Sequence, residues 1–410
     1  MCAAMHRLAV IGGGSAGCQA ALYGAKAGLE VTIYEKEALG GTCLHTGCMP
    51  TKALLHAGGT VDWAAYAQQL KTKLLLLERG LAGQLRRAGV SVCRQEVTLD
   101  RLPEADTVLL ALGEPGNPLP QIPGKQIFDH RTVLELPRLP GELAIVGGGV
   151  SGLEYAQLFA ALGVSVTVYE QAERILPDFP EELALRLMEI CQQEGIAFVC
   201  GAPVELDRLP QSSILWAAGR GPWQSEAIEA LARAGIQADC RGIAADASWR
   251  TSLPHVYAVG DCTGRTHTAY EAVQAARAAV DAMLGRPPAP VGAPVRVVCG
   301  WYDLVCLGCS QGLQATARMD RSGYALLRDR MDGMVRLSCD PADGTLTGAQ
   351  LLYPGAAEAG ALLAAAVNAR MPVQTLTQTL FFHPAYAETI QEAAVELHDL
   401  FRKQANGAGV

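Results

Sequence analysis

Two cysteines with four residues between them, Cys43 and Cys48, stand in the stretch GGTCLHTGCMPTK at residues 40–52. Thiols so spaced suit a reversible two-electron exchange between dithiol and disulfide. In a straight α-helix, residues five apart lie about 8 to 9 Å from each other at Cα, beyond the roughly 7 Å a disulfide tolerates. A bonded pair therefore requires the turn between them to be unwound. Gly47 supplies permissive backbone for that, and Pro50 suits the first turn of a helix beginning just after Cys48. A helix N-terminus depresses a thiol pKa, which makes Cys48 the expected thiolate. The plainer alternatives are two reduced core cysteines or a small staple. Closing so short a loop removes little chain entropy, so a staple would stabilise weakly.

The elements that must position this pair begin with a strand at residues 8–11, a turn containing Gly12, Gly14 and Gly17, an Ala-rich helix, and a second strand ending at Glu35. Glycines at these offsets let backbone approach a pyrophosphate at a helix N-terminus, and a carboxylate 23 residues after the first glycine can accept from ribose hydroxyls. The same unit returns 135 residues later with Gly147, Gly149 and Gly152, and Glu170 again falls 23 residues after its first glycine. Repetition at identical offsets implies two nucleotides. A redox dithiol between two such units calls for a flavin beside a nicotinamide, hence FAD and NAD as cofactors.

Length and composition set the bounds. A chain of 410 residues, half of them apolar, can bury a large core over two or three domains. Its net charge of −8 offers no basic patch, which argues against nucleic acid and anionic membrane as partners. No apolar run approaches the length of a membrane span or signal peptide, and thirteen cysteines without a framework suit reduced thiols, so the expected location is cytoplasmic.

Between the two units, apolar spacing predicts a helix over residues 61–88 and strands over 90–93 and 107–112, with a Pro/Gly-rich crossing at 115–124. A helix over 181–194 and strands over 197–199 and 213–216 complete the second unit. At Gly260-Asp261 a strand ends in a carboxylate that can also cap the Ala-rich helix after it. A Pro-rich linker at residues 285–294 then leads to alternating stretches that read as strands, VRVVCGWYDLVCLG, YALLRD, MVRLSC and TLTGAQLLY, followed by helices from about residue 355. Cys306 and Cys309 fall on an alternating strand and read as core cysteines rather than as a metal or second redox site; no metal is expected. Near the end stand His383-Pro384 and Glu388. A bare His and Glu five apart are ordinarily surface residues.

Taken in order, the two glycine fingerprints, the Cys43/Cys48 segment, Gly260-Asp261 and the His383-Pro384…Glu388 segment resemble the class I pyridine nucleotide-disulfide oxidoreductases, and within them the dihydrolipoamide dehydrogenases. The likeness covers essentially the whole chain. His45 departs from the usual Asn, Ala111-Leu112-Gly113-Glu114-Pro115 is a worn form of an Ala-Thr-Gly turn, and the hairpins inserted near residues 99–106 and 204–211 are cut short. The resemblance implies an α/β fold with two Rossmann-like domains, for FAD (residues 1–118 and 251–286) and NAD (119–250), and a C-terminal α+β dimerisation domain (287–410). It implies that electrons pass between NAD(H), FAD, a Cys43–Cys48 disulfide and a dithiol/disulfide substrate. Cys43 would be the interchange thiol and Cys48 the thiolate in charge transfer with the flavin. Lys52 and Glu154 would form the ion pair beside the flavin, Asp261 would hold its ribityl chain, and Gly113, Gly219 and Gly260 would be cofactor-binding turns. His383, oriented by Glu388, would be the acid/base, acting across a homodimer. No cysteine follows Cys339, so substrate should meet Cys43 directly. A lipoyl group on a carrier domain leads, with a small glutathione-like disulfide as the alternative. A flavoprotein handing electrons to a protein partner is the different class.

Overall fold

The computed structural model describes residues 6–55, 62–114, 118–219, 223–287 and 292–407. Pro115 and much of the Pro-rich linker predicted at 285–294 lie outside these residues. The first unit runs β1 (Arg7–Ile11), α1 (Ser15–Lys26), β2 (Glu30–Glu35), α2 (Gly41–His45), α3 (Cys48–Leu55), α4 (Trp63–Arg87), β3 (Ser91–Arg94) and β4 (Thr107–Leu110). The strands with apolar runs, such as LAVI in β1 and TVLL in β4, are buried on both faces, as parallel strands between helical layers must be. Asp62 caps α4 by accepting from the Ala65 N–H, and Trp63, Ala67, Leu70 and Leu74 form its buried stripe.

The second unit contains β5 (Gln126–Phe128), β6 (Glu142–Val146), α5 (Val150–Ala161), β7 (Ser165–Glu170), α6 (Glu181–Gln193), β8 (Ala197–Cys200), β9 (Ser213–Trp216) and α7 (Ser225–Arg233). Its sheet has the order β5-β9-β6-β7-β8, all parallel. After a two-stranded ribbon, β10 (Ala238–Asp239) with β11 (Gly242–Ile243), the chain returns to the first sheet. There β12 (Val256–Ala258) pairs in parallel with β4, giving the order β12-β4-β1-β2-β3, and α8 (Ala269–Met283) lays its alanines against α1. Residues 99–106 hold no strand, and residues 204–211 hold only one short 3-10 turn, Leu206–Arg208, so both hairpins are absent.

The C-terminal part is an antiparallel sheet of order β13-β14-β17-β16-β15, formed by β13 (Val295–Val298), β14 (Asp303–Gly308), β15 (Leu313–Arg318), β16 (Met334–Cys339) and β17 (Leu346–Tyr353). It is backed by α10 (Ala356–Asn368), α11 (Val373–Gln378) and α12 (Glu388–Gly407). Two expectations fail here. YALLRD forms not a strand but the short helix α9 (Gly323–Leu327), because the Ser322 side chain caps it through the Ala325 N–H and its Ala and Leu residues favour a helix. Cys306 is buried as expected, whereas Cys309 lies just past the end of β14 and is exposed. Among the described residues no helix is long and apolar enough to cross a membrane.

Candidate active site

The break required between the cysteines is present: α2 ends at His45 and α3 starts at Cys48. Thr46 donates its N–H to the Thr42 carbonyl at 3.0 Å, and the Thr51 hydroxyl donates to the Gly47 carbonyl at 2.7 Å, pinning the turn from both sides. A Cβ on Gly47 would sit 3.0 Å from the Thr42 oxygen, so a side chain there would press on the fold between the sulfurs. His45 donates from Nε2 to the Leu39 carbonyl at 2.9 Å and thereby ties the dithiol segment to the loop before it.

As a dithiol, the two side chains hydrogen-bond each other. The Cys48 S–H stabilises a thiolate on Cys43 and pulls its pKa down to about 6, against burial and with help from the Ser15 hydroxyl and Lys52. The same bond, with burial, pushes Cys48 far above the usual thiol range. These are two faces of one shared proton: at neutral pH the pair carries a single negative charge beside Lys52. Ser15, the first residue of α1, adds its hydroxyl as a further donor on the Cys43 side of the pair.

One turn into α3, Lys52 Nζ meets Glu154 Oε2 at 2.5 Å. Burial pulls the lysine pKa down, but the Glu154 carboxylate, with Cys299 and Cys48 adding to it, more than offsets that, and the net shift is upward. Glu154 is 5 % exposed, and its other oxygen, Oε1, accepts from the Cys299 N–H at 3.1 Å. The Cys299 thiol, pushed up to about 11 by burial and then by Glu154, is a third sulfur near this site.

The two glycine turns have the geometry a bound dinucleotide needs. Added Cβ atoms at Gly12 and Gly17 would lie 2.2 Å from the Ala111 oxygen and 1.8 Å from the Gly12 oxygen, so both positions exclude any side chain. The middle glycines differ. Nothing lies within 4 Å of a Cβ built on Gly14 or Gly149, and neither residue offers a side-chain cap, so bare helix N-termini face open space. Glu35 accepts from the Gly13 N–H at 2.5 Å and Glu170 from the Gly148 N–H at 2.7 Å, each ending its strand beside its own turn. Gly113, Gly219 and Gly260 all take positive φ (70°, 77° and 79°) just past strand ends, and Asp261 begins the turn that leads to α8. FAD and NAD(H) fit these residues.

His383 lies in the C-terminal part, five residues before the start of α12. Its side chain is 81 % exposed, and Nδ1 meets Glu388 Oε1 at 2.8 Å. The Ala385 N–H holds the second Glu388 oxygen at 2.9 Å, and first this bond and then His383 keep the Glu388 carboxyl below its ordinary range. Leu380 and Phe382 beside it are 96 % and 91 % exposed, an apolar rim of the kind that marks an interface. Sequence reasoning singled out His383, Glu388, Lys52 and Glu154, but missed Ser15, Cys299 and Gln157. The small Ser at the head of the first glycine helix was a usable signal; the backbone donors at Cys299 and Trp301 left none.

The profile of the pyridine nucleotide-disulphide oxidoreductases matches residues 6–276, and that of their dimerisation domain matches residues 314–394. A dihydrolipoyl dehydrogenase of Bacillus subtilis is 28 % identical over 94 % of this chain and 97 % of its own, and one of Chlorobaculum tepidum is 29 % identical over 96 % and 97 %. The crystal structure of LpdA from Mycobacterium tuberculosis superposes with a TM-score of 0.86 at 25 % identity, covering 96 % of this chain and all of that one. The profile match spans well over half of the chain, and the relatives align over more than nine-tenths of it. The chain belongs to the FAD-dependent pyridine nucleotide-disulphide oxidoreductases that work with NAD(H).

Proposed function

We propose that the chain exchanges electrons between NAD(H) and a lipoyl group on a carrier domain through the Cys43–Cys48 pair, acting in the cytoplasm as a homodimer. The observation that carries this is the unwound α2–α3 turn, which brings two hydrogen-bonded thiols together beside Lys52 and holds the Cys43 thiol pKa down to about 6. The Cys43 thiolate attacks one sulfur of the substrate disulfide, and the departing thiolate takes a proton from His383. Cys48 then gives up its proton to the now neutral His383 and attacks the Cys43 sulfur, releasing the second substrate thiolate and closing the Cys43–Cys48 disulfide. NADH would supply the two electrons that reopen it, with bound FAD as their carrier. Glu388 holds His383 in orientation for proton transfer.

Lys52, Glu154, Gly113, Gly260 and Asp261, with Gly12, Gly14, Gly17 and Glu35, serve the flavin in this reading. Gly147, Gly149, Gly152, Glu170 and Gly219 serve the nicotinamide coenzyme. Glu170 favours a free ribose 2′-hydroxyl over a 2′-phosphate. Arg174, the nearest cation in sequence, is engaged by the carbonyls of Ile175, Leu176, Pro177 and Phe179 at 2.6 to 3.1 Å and is not free to bind such a phosphate. The domain limits we favour are 1–118 with 251–286, 119–250 and 287–410.

His383 serves Cys43 of the partner subunit. Its exposed ring, its apolar rim and the dimerisation-domain match support this arrangement. The test is complementation. Inactive Cys43→Ser and His383→Ala chains are mixed, allowed to exchange subunits and assayed with NADH and a lipoamide disulfide, glutathione disulfide serving as the rival substrate. Random pairing returns about a quarter of wild-type activity, because one site of each mixed dimer is intact. Exchange verified by mass with no recovered activity would place His383 on its own chain's site or remove it from the chemistry.

A further inference from the structure

Helices α1 and α5 occupy matching places 135 residues apart, yet two matching positions differ in kind: Gln19 and Leu22 in α1 are Glu154 and Gln157 in α5. Both α5 residues are buried, Glu154 at 5 % and Gln157 at 0 % exposed, one turn apart on the same face. Each takes a backbone donor from the loop joining β13 to β14. The Cys299 N–H reaches Glu154 Oε1 at 3.1 Å, and the Trp301 N–H reaches Gln157 Oε1 at 2.9 Å. Gln157 Nε2 donates in turn to the Leu153 carbonyl at 3.3 Å, which fixes its orientation. Between the two donors stands Gly300, where an added Cβ would lie 2.1 Å from Gln157 Oε1 and so would displace the Gln157 amide. The far side of the loop is tied as well. Asp303 accepts from the Gly300 N–H and, at its other oxygen, from the Ala357 N–H at the start of α10, both at 3.1 Å.

We propose that Gln157 is a positioning residue: through loop 299–301 it holds one oxygen of Glu154 so that the other is presented to Lys52, fixing the ion pair from the dimerisation domain. The inference rests on the assignment of Lys52 and Glu154 to the flavin site. A carboxylate with two oxygens and two fixed donors from different domains has one orientation. Without the Gln157 anchor the Cys299 donor drifts, and the lysine charge is no longer fixed in place.

The test compares three variants of the FAD-loaded protein by flavin absorption, by the long-wavelength band of the two-electron-reduced form, and by steady-state kinetics. Gln157→Leu removes the acceptor at nearly constant volume. It is expected to shift the flavin absorption, weaken the long-wavelength band and lower kcat about tenfold with KM for NADH little changed. Leu397→Ala, in the core of the C-terminal part on α12, lowers stability but leaves the flavin spectra as in wild type. Lys52→Met shifts the spectra if the pair lies by the flavin. Wild-type spectra and kcat in Gln157→Leu beside altered spectra in Lys52→Met would overturn the clasp while leaving the site assignment intact. Unchanged spectra in both would overturn the assignment and the clasp with it. Should Gln157→Leu fail to fold, Gly300→Ala, whose added methyl expels the Gln157 oxygen, carries the same expectations.

Discussion

The two nucleotide units are close to superposable in their hydrogen bonds and quite different in what they support. Gly12 donates to the Tyr34 carbonyl and Gly147 to the Tyr169 carbonyl, both at 2.8 Å. Glu35 accepts from the Glu37 N–H at 2.7 Å, Glu170 from the Ala172 N–H at 2.8 Å. Even the next loop repeats: Leu39 closes over Gly13 as Ile175 closes over Gly148. The units part only afterwards. Past Leu39 the first runs into α2 and α3 with the dithiol, whereas past Ile175 the second folds its loop around the Arg174 guanidinium. The cradle is thus a generic device for a diphosphate, and the redox chemistry belongs to the residues placed just beyond one copy of it.

The same substitution in each copy gives the sharpest contrast. In Gly17→Ala the new methyl would lie 1.8 Å from the Gly12 oxygen, and in Gly152→Ala 1.9 Å from the Gly147 oxygen. The first should purify without flavin and without activity. The second should stay yellow, keep its flavin and lose NADH turnover by at least about a hundredfold. Loss of FAD from both, or from neither, would break the division of labour between the units.

A smaller effect separates the two strand-end carboxylates. Glu170→Ala removes a charged acceptor for a ribose hydroxyl, an interaction of about 1.5 to 3 kcal/mol. The ratio of kcat/KM for NADH over NADPH should fall about ten- to a hundredfold, while Glu35→Ala leaves that ratio unchanged and weakens FAD retention instead. Equal use of both coenzymes by the unaltered protein would contradict the role given to Glu170.

The mildest test reads the dithiol itself. With the Cys43 pKa near 6, alkylation of the reduced protein at Cys43 should rise from below pH 6 and level off by about pH 7, because thiolate is the reactive form and accumulates above the pKa. Cys48→Ala deletes the donor that contributes most to this shift, so the midpoint should climb toward the ordinary thiol value near 8.5. An unmoved midpoint would mean that Ser15 and Lys52 suffice without the partner sulfur.

Much of this was legible in the chain. Offsets of glycine and glutamate determine the cradles because a φ near 100° at Gly12 and the contact of Gly17 with its carbonyl leave no other residue possible there. The unwound turn was legible only on the condition that Cys43 and Cys48 can bond, since the spacing alone also suits two reduced thiols. YALLRD misled because a run of four apolar residues suits a short strand as well as a helix and the serine cap decides for the helix, and β15 (LQATAR) gives little strand signal because its buried face is made of small alanines. The Ser15 hydroxyl assists Cys43, the Cys299 N–H reaches Glu154 and the Trp301 N–H reaches Gln157. These are contacts between segments distant in sequence, formed partly by backbone, and no residue type advertises them.

The central claim, that the Cys43–Cys48 pair rather than the flavin alone receives the electrons of NADH, is tested most directly by anaerobic reduction of the oxidised protein with one equivalent of NADH, followed by alkylation and peptide mapping. Two newly labelled thiols, at Cys43 and Cys48, are expected, with the flavin returned to its oxidised form. Flavin left reduced, with neither cysteine newly labelled, would contradict it.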